Sequence, residues 1–174
     1  QTPAVGADVT SVKCRGQWVL LGLAVNDIDG TALSLDVLAG EDAESLKEWL
    51  APVLEATGAQ LLVTDDADSF KQVADAHAVQ HQICKSHVQR NTEALVEELK
   101  NQSQHSQDGS LSEIGVTPEE AREHLETLLE LVSNRDPQDE DEVAKLYDRY
   151  VGTSPPKKGE RASLAYRLYL LFLD

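Results

Sequence analysis

Leu61-Leu62-Val63-Thr64-Asp65-Asp66 is a short apolar run that ends abruptly in carboxylates. A carboxylate at the carboxyl end of a strand stands where α/β folds gather their ligands. A second one, Asp8, lies inside an early alternating stretch, although aspartate is depleted in strand interiors because its side chain competes for its own backbone. If the two strands are neighbours, about 4.8 Å apart, the carboxylates converge on one point. Unpaired, they would repel, and a divalent cation removes that penalty. Mg²⁺ or Mn²⁺ prefers such hard oxygen ligands and keeps waters for substrate phosphates, so metal-assisted phosphoryl transfer is the chemistry expected of Asp8 and Asp65. Asp66 is the substitute for Asp65 as ligand; Asp66 or Asp68 otherwise reads as the cap of the following helix.

Some twenty residues on comes Cys84-Lys85-Ser86-His87, then Arg90. Cys-x-x-His could be half a zinc site, with His77 and His81 close by in sequence. No second ligand pair completes a closed tetrahedral set, and Cys14 lies at the far end of another strand. The plain reading is therefore a small buried thiol and a first-turn histidine. A Cys–His nucleophile lacks any third group to orient it. Lys85 and Arg90 are the best local phosphate contacts, against the plain reading of solvent-facing helix side chains.

These groups must be positioned by regular elements. Val5 to Lys13 alternates as a strand, Arg15-Gly16 supplies a tight turn, and Trp18 to Val25 is nearly all apolar, as a central strand covered on both faces would be. Asn26 to Gly30 reads as a turn; its likeness to a calcium loop is superficial, since spacing and glutamate are wrong. Thr31 to Leu38 alternates again and completes an antiparallel meander. Leu46, Trp49, Leu50, Val53 and Leu54 then recur at helical spacing, with Asp42 as N-cap, Gly58 as C′ residue and Pro52 as an expected kink. Gln60 to Thr64 is a short buried strand, Phe70 to His77 a helix, and Val79 to Cys84 a fifth strand. Ser86 and Gln89 form a capping-box pair for a third helix.

Three antiparallel strands followed by two strands joined through helices is the order of the ribonuclease H-like fold. Right-handed crossovers would set the fourth strand beside the first and parallel to it. The expected architecture is thus α/β, a mixed five-stranded sheet flanked by helices over residues 1–101, a linker over 102–116, and a helical part over 117–174. Thr117-Pro118-Glu119-Glu120 is a strong helix start, with Thr at N-cap and Glu at N3. Pro155-Pro156-Lys157-Lys158-Gly159 interrupts this part before a last apolar-faced helix.

With 174 residues, 41% of them apolar and 26% charged, the composition is that of a soluble globular chain. No apolar run approaches the roughly 20 residues that cross a bilayer, and no signal peptide is evident, so no membrane partner is expected. Two cysteines make no disulfide framework, and a reducing cytoplasm is the expected compartment. The chain starts at Gln1 and has no methionine, which reads as a piece of a longer protein. The net charge of −16 sits awkwardly with nucleic-acid binding, which ordinarily uses basic patches. Much of the acidity falls between Thr117 and Tyr150 and reads as a solvated helical face.

The stretches GADVTSVKCRGQW, LLVTDDADSFKQVADAH and HQICKSHVQRN, in this order, resemble the DDE-type transposases of bacterial insertion sequences, close in style to Mutator-like enzymes. PPKKGERASLAYRLYLLFLD is similar to the segment after the helical insertion in such proteins. The resemblance implies a ribonuclease H-like core with two Mg²⁺ ions, a helical insertion, and cleavage and strand transfer on transposon ends and target DNA by a homo-oligomer. Carried over by position, Asp8 is the first acid, Asp65 the second, and Cys84 with His87 the Cys-x-x-His signature. The family's third acid, a glutamate after the insertion, has no good match; Glu160 precedes the segment where it would fall. Two other readings remain: a non-catalytic ribonuclease H-like domain for assembly or protein binding, and another nuclease of the same fold, such as a resolvase or a ribonuclease H.

Overall fold

The computed structural model describes residues 3–102, 109–134 and 139–173. Two compact units divide the chain, residues 1–84 and 85–174, a boundary earlier than the one expected at residue 101.

The first unit is built on strands β1 (Ala4–Cys14), β2 (Gln17–Asn26) and β3 (Ala32–Leu38), then helix α1 (Ala43–Thr57), strand β4 (Leu61–Thr64), helix α2 (Asp68–His77) and strand β5 (Gln80–Ile83). The strand order is β3-β2-β1-β4-β5. β1 to β3 pair antiparallel, whereas β4 is parallel to β1 and β5 is parallel to β4. This is the ribonuclease H-like sheet. The β1–β2 hairpin closes on Arg15 and Gly16, both at positive φ, as a two-residue loop requires to match strand twist.

Alternation along the strands decides what each face meets. Val5, Ala7, Ala24 and Leu62 point to the side where Leu46, Trp49, Leu50, Phe70 and Val73 of α1 and α2 bury them. Gly22 is on that side too, and it lets the Trp49 indole lie against the strand: a Cβ there would stand 2.7 Å from the ring. Trp49 is held in place by its Nε1–H, which donates to Ser34 Oγ at 2.9 Å. The opposite face differs from the expectation of a doubly covered β2. Leu23, Leu35 and Val37 are exposed there, because among the described residues the helices of this unit pack on one side only.

α1 begins as expected. Asp42 accepts from the N–H groups of Glu44 and Ser45, each at 3.1 Å, and Gly58 closes the helix at φ 64°. Pro52 does not end the helix, which continues to Thr57. α2 corrects the sequence reading: its N-cap is Ala67, with no side-chain cap, so neither Asp66 nor Asp68 serves that role.

The second unit comprises α3 (Lys85–Gln102), α4 (Ser110–Glu113), α5 (Pro118–Asn134), α6 (Asp139–Tyr150) and α7 (Leu164–Leu173). α3 starts at Lys85, which puts Ser86 inside the first turn rather than at the cap. α4 falls within the expected linker, whose residues 103–108 lie outside those described. Thr117 and Glu120 form the reciprocal capping box at the head of α5, with bonds of 2.8 and 3.2 Å. Leu95, Leu99, Leu125, Leu128, Leu168 and Phe172 make the core. Tyr150, fully buried, stacks on Phe172 and its hydroxyl meets His124 Nδ1 at 2.8 Å. Burial holds the Tyr150 phenol far above its usual range and pulls the His124 imidazole down.

Candidate metal and phosphoryl-transfer site

Ala4, Val5 and Gly6 of β1 pair with Leu61, Leu62 and Val63 of β4. Asp8 lies on β1 two residues beyond the last of these pairs, and Asp65 lies immediately past the end of β4. Alternation gives Asp8 the face of Gly6 and Leu23, the side opposite α1 and α2. Asp8 is exposed and Asp65 partly buried. Each carboxylate uses Oδ1 locally: Asp8 accepts from the Val9 N–H at 2.9 Å and Asp65 from the Ala67 N–H at 3.1 Å. The second of these is an Asx turn, which holds the Asp65 side chain at the strand end instead of letting it cap α2. Among the described residues no lysine or arginine forms an ion pair with either carboxylate. Asp66, the substitute ligand, is instead paired with Lys71.

The donor set is of the hard-oxygen kind that a divalent cation takes: one carboxylate on β1 and one just past β4, each with one oxygen not used in the local bond. The described residues contain no group of three or more His, Cys, Asp or Glu that could hold a metal, so the set stops at two. Glu160, the nearest match for a third acid, lies in the second unit and accepts from the Lys157 N–H at 3.3 Å.

Sequence reasoning passed over the polar pair that supports Asp65. Thr64, almost fully buried, donates its hydroxyl to the Asp65 carbonyl at 2.7 Å and meets His81 Nε2 at 2.8 Å. With the Thr64 proton committed to the carbonyl, His81 must donate from Nε2, which sets its tautomer. Burial lowers the His81 pKa, as does Lys71, against the opposing pull of Asp66, Asp65 and Asp75. The signal was present only as parity. Leu62 pairs with His81 and Thr64 with Ile83, so Thr64 and His81 share a face once the register is known.

Cys84 ends the first unit, its backbone N–H donating to the Thr64 carbonyl at 2.6 Å, and His87 sits in the first turn of α3. No closed zinc site forms around them among the described residues. Arg90 is exposed and turns its Nε–H back to the Ser86 carbonyl at 3.2 Å, while Lys85 is partly buried at the helix start.

No protein-family model and no curated protein matches the chain. Solved structures do. One is the simian T-cell lymphotropic virus intasome in complex with PP2A regulatory subunit B56 gamma, at 16% identity and TM-score 0.42, over 64% of this chain and 46% of that one, less than half its length. Another is the HTLV-2 integrase catalytic core domain in complex with magnesium in its trimeric form, at 16% identity and TM-score 0.42, over 79% of this chain and 91% of that one. The dimeric form of the same domain gives 14% identity and TM-score 0.41, over 64% and 81%. The fold class itself follows from the strand order and register described above.

Proposed function

We propose that this chain is part of the catalytic core of a DDE-type transposase, of the bacterial insertion-sequence kind, which cuts and joins DNA strands with the help of Mg²⁺ or Mn²⁺. The observation that supports the reading is the parallel pairing of Ala4, Val5 and Gly6 with Leu61, Leu62 and Val63, which ends two residues before Asp8 and Asp65. In this reading Asp8 and Asp65 would hold the metal. Divalent metal there would supply activation of an oxygen nucleophile and charge stabilisation of the leaving oxygen in an in-line displacement. Thr64 and His81 fix the backbone at Asp65, so that its carboxylate arrives with little freedom to lose. A homo-oligomer acting on transposon ends and target DNA belongs to the same proposal, by analogy with the transposases that the motifs resemble.

A second reading, a non-catalytic domain of the same fold used for assembly, is favoured by the absence of a third ligand among the described residues. Mn²⁺ titration followed by electron paramagnetic resonance separates the two. Catalytic ancestry predicts weak binding that Asp8→Asn and Asp65→Asn each abolish, together with little or no DNA cleavage by this chain alone. Binding that ignores both substitutions, or robust cleavage that survives Asp65→Asn, would refute the assignment.

A further inference from the structure

We propose that the loop between α6 and α7 is a docking site for the phosphate backbone of a nucleic acid. The choice of nucleic acid as the polyanion rests on the function proposed above; the surface itself stands on separate observations. Residues 157–167 hold four of the chain's 15 Lys and Arg, namely Lys157, Lys158, Arg161 and Arg167, and only one of its 31 Asp and Glu. Nowhere else does this acidic chain concentrate positive charge so far in excess.

The cations are presented from a fixed frame. The Glu160 N–H donates to the Lys157 carbonyl at 2.9 Å and closes a four-residue turn. Gly159, at φ 89°, occupies the third position, where a type II turn needs positive φ. The Glu160 carboxylate reaches back to the Lys157 N–H, and Pro155 and Pro156 stiffen the approach. Lys157, Lys158 and Arg161 are all exposed. Less conformational freedom is lost when such a turn binds than when a floppy one does.

Beside the turn lies a cavity of about 850 Å³ within the second unit. On its wall Glu98 accepts from Arg167 at 2.7 Å and lies 3.9 Å from Arg161, so that two guanidiniums share one carboxylate. Glu113 and Glu160 also line the cavity, so its three carboxylates match Lys157, Arg161 and Arg167, and Lys158 in the turn beside it is the surplus cation. The α7 N-terminus opens on the same space. Its Ala165 and Tyr166 amides are already met by Ser110 and Ser163, so it contributes the field of its dipole and no vacant donors. Thr153 Oγ1, on this wall, is buried without a hydrogen-bond partner among the described residues, a state that ordinarily marks a place where a ligand or water completes the bond.

A chain of net charge −16 can approach a polyanion only through a locally positive face. A nucleic-acid backbone suits that geometry, since its phosphates meet a compact group of cations without demanding a broad basic surface. The turn offers no large apolar side chain for insertion into a lipid surface.

The test is fluorescence anisotropy of a labelled DNA duplex with the full chain over a salt series, beside the triple variant Lys157→Gln, Lys158→Gln, Arg161→Gln. Three lost phosphate contacts should lower the slope of log K against log salt by about 2.7 and weaken binding by about tenfold or more at low salt. Unchanged affinity and slope would overturn the proposal. So would anionic vesicles binding the turn in place of the duplex, or a loss seen only with Lys85→Gln and Arg90→Gln. Mn²⁺ binding that needs Asp8 and Asp65, without turn-dependent duplex binding, sinks this inference and leaves the proposed function standing. Turn-dependent duplex binding without Mn²⁺ binding supports the docking site and sinks the metal chemistry alone.

Discussion

Replacing Gly22 by alanine tests the packing that holds the sheet carrying Asp8. The Cβ added there would stand 2.7 and 2.8 Å from the Trp49 indole, about 1 Å inside ordinary carbon–carbon contact. The ring cannot swing aside without breaking its 2.9 Å bond to Ser34, and it is only 6% exposed. Overpacking of this kind costs about 1–3 kcal/mol, and loss of the indole bond about 1 kcal/mol more. Alanine returns roughly 0.5–1 kcal/mol through the lower entropy of its unfolded chain. The net expectation is a destabilisation of about 2 kcal/mol, or about 8–16 °C in the melting temperature of a unit this size. Urea unfolding followed by tryptophan emission is the assay, in a Trp18→Phe background, since Trp18 is 72% exposed and reports little. In a Trp49→Phe background, where unfolding is followed by far-ultraviolet circular dichroism, the same substitution should cost far less. An unchanged midpoint with unchanged Trp49 emission, or the same loss in both backgrounds, would refute the reasoning.

Thr64→Val keeps the shape but removes both the bond to the Asp65 carbonyl and the partner of His81; about 1–3 kcal/mol of stability should be lost, and Mn²⁺ affinity should fall although no ligand has changed, as a chemical denaturation and a metal titration would read. His81 and His124 both have folded pKa values below the free value of about 6.5, so the folded state takes up fewer protons than the unfolded one just below that pH. The stability they contribute is present above about pH 6.5 and lost as pH falls below it; the difference in urea midpoint between the parent and a His81→Gln, His124→Gln variant should therefore shrink between about pH 7 and 5. Tyr150 has the opposite sign. Its raised folded pKa gives stability that is full below about pH 10 and drains away as pH rises past it, and Tyr150→Phe should flatten that alkaline limb while costing about 1–2 kcal/mol at neutral pH for the orphaned His124.

Local signals were legible wherever the cause was local. The period of apolar residues, the Asp42 cap, Gly58 and the Thr117–Glu120 box each act within a few residues, and each appears in the structure as read. The order of strands and helices, with the right-handed preference of crossovers, was enough to seat β4 beside β1. The error at α2 is instructive, because Asp66 and Asp68 are chemically equivalent candidates for one cap. Lys71 took Asp66, and the Asx turn to Ala67 held Asp65.

Tertiary structure alone decided the rest. An apolar β2 reads the same whether one or both faces are covered; which face α1 and α2 took depended on packing. The role of Gly22 comes from an indole of another element that lies on it. Thr64 and His81 meet only because two registers coincide, and the division after Cys84 follows from which side chains α3 buries with α5 and α7. The sequence by itself determined the elements and the residues with chemistry to offer, since those depend on covalent neighbours. Which of those residues stand together is set by contacts between distant segments, and that only the folded chain reveals.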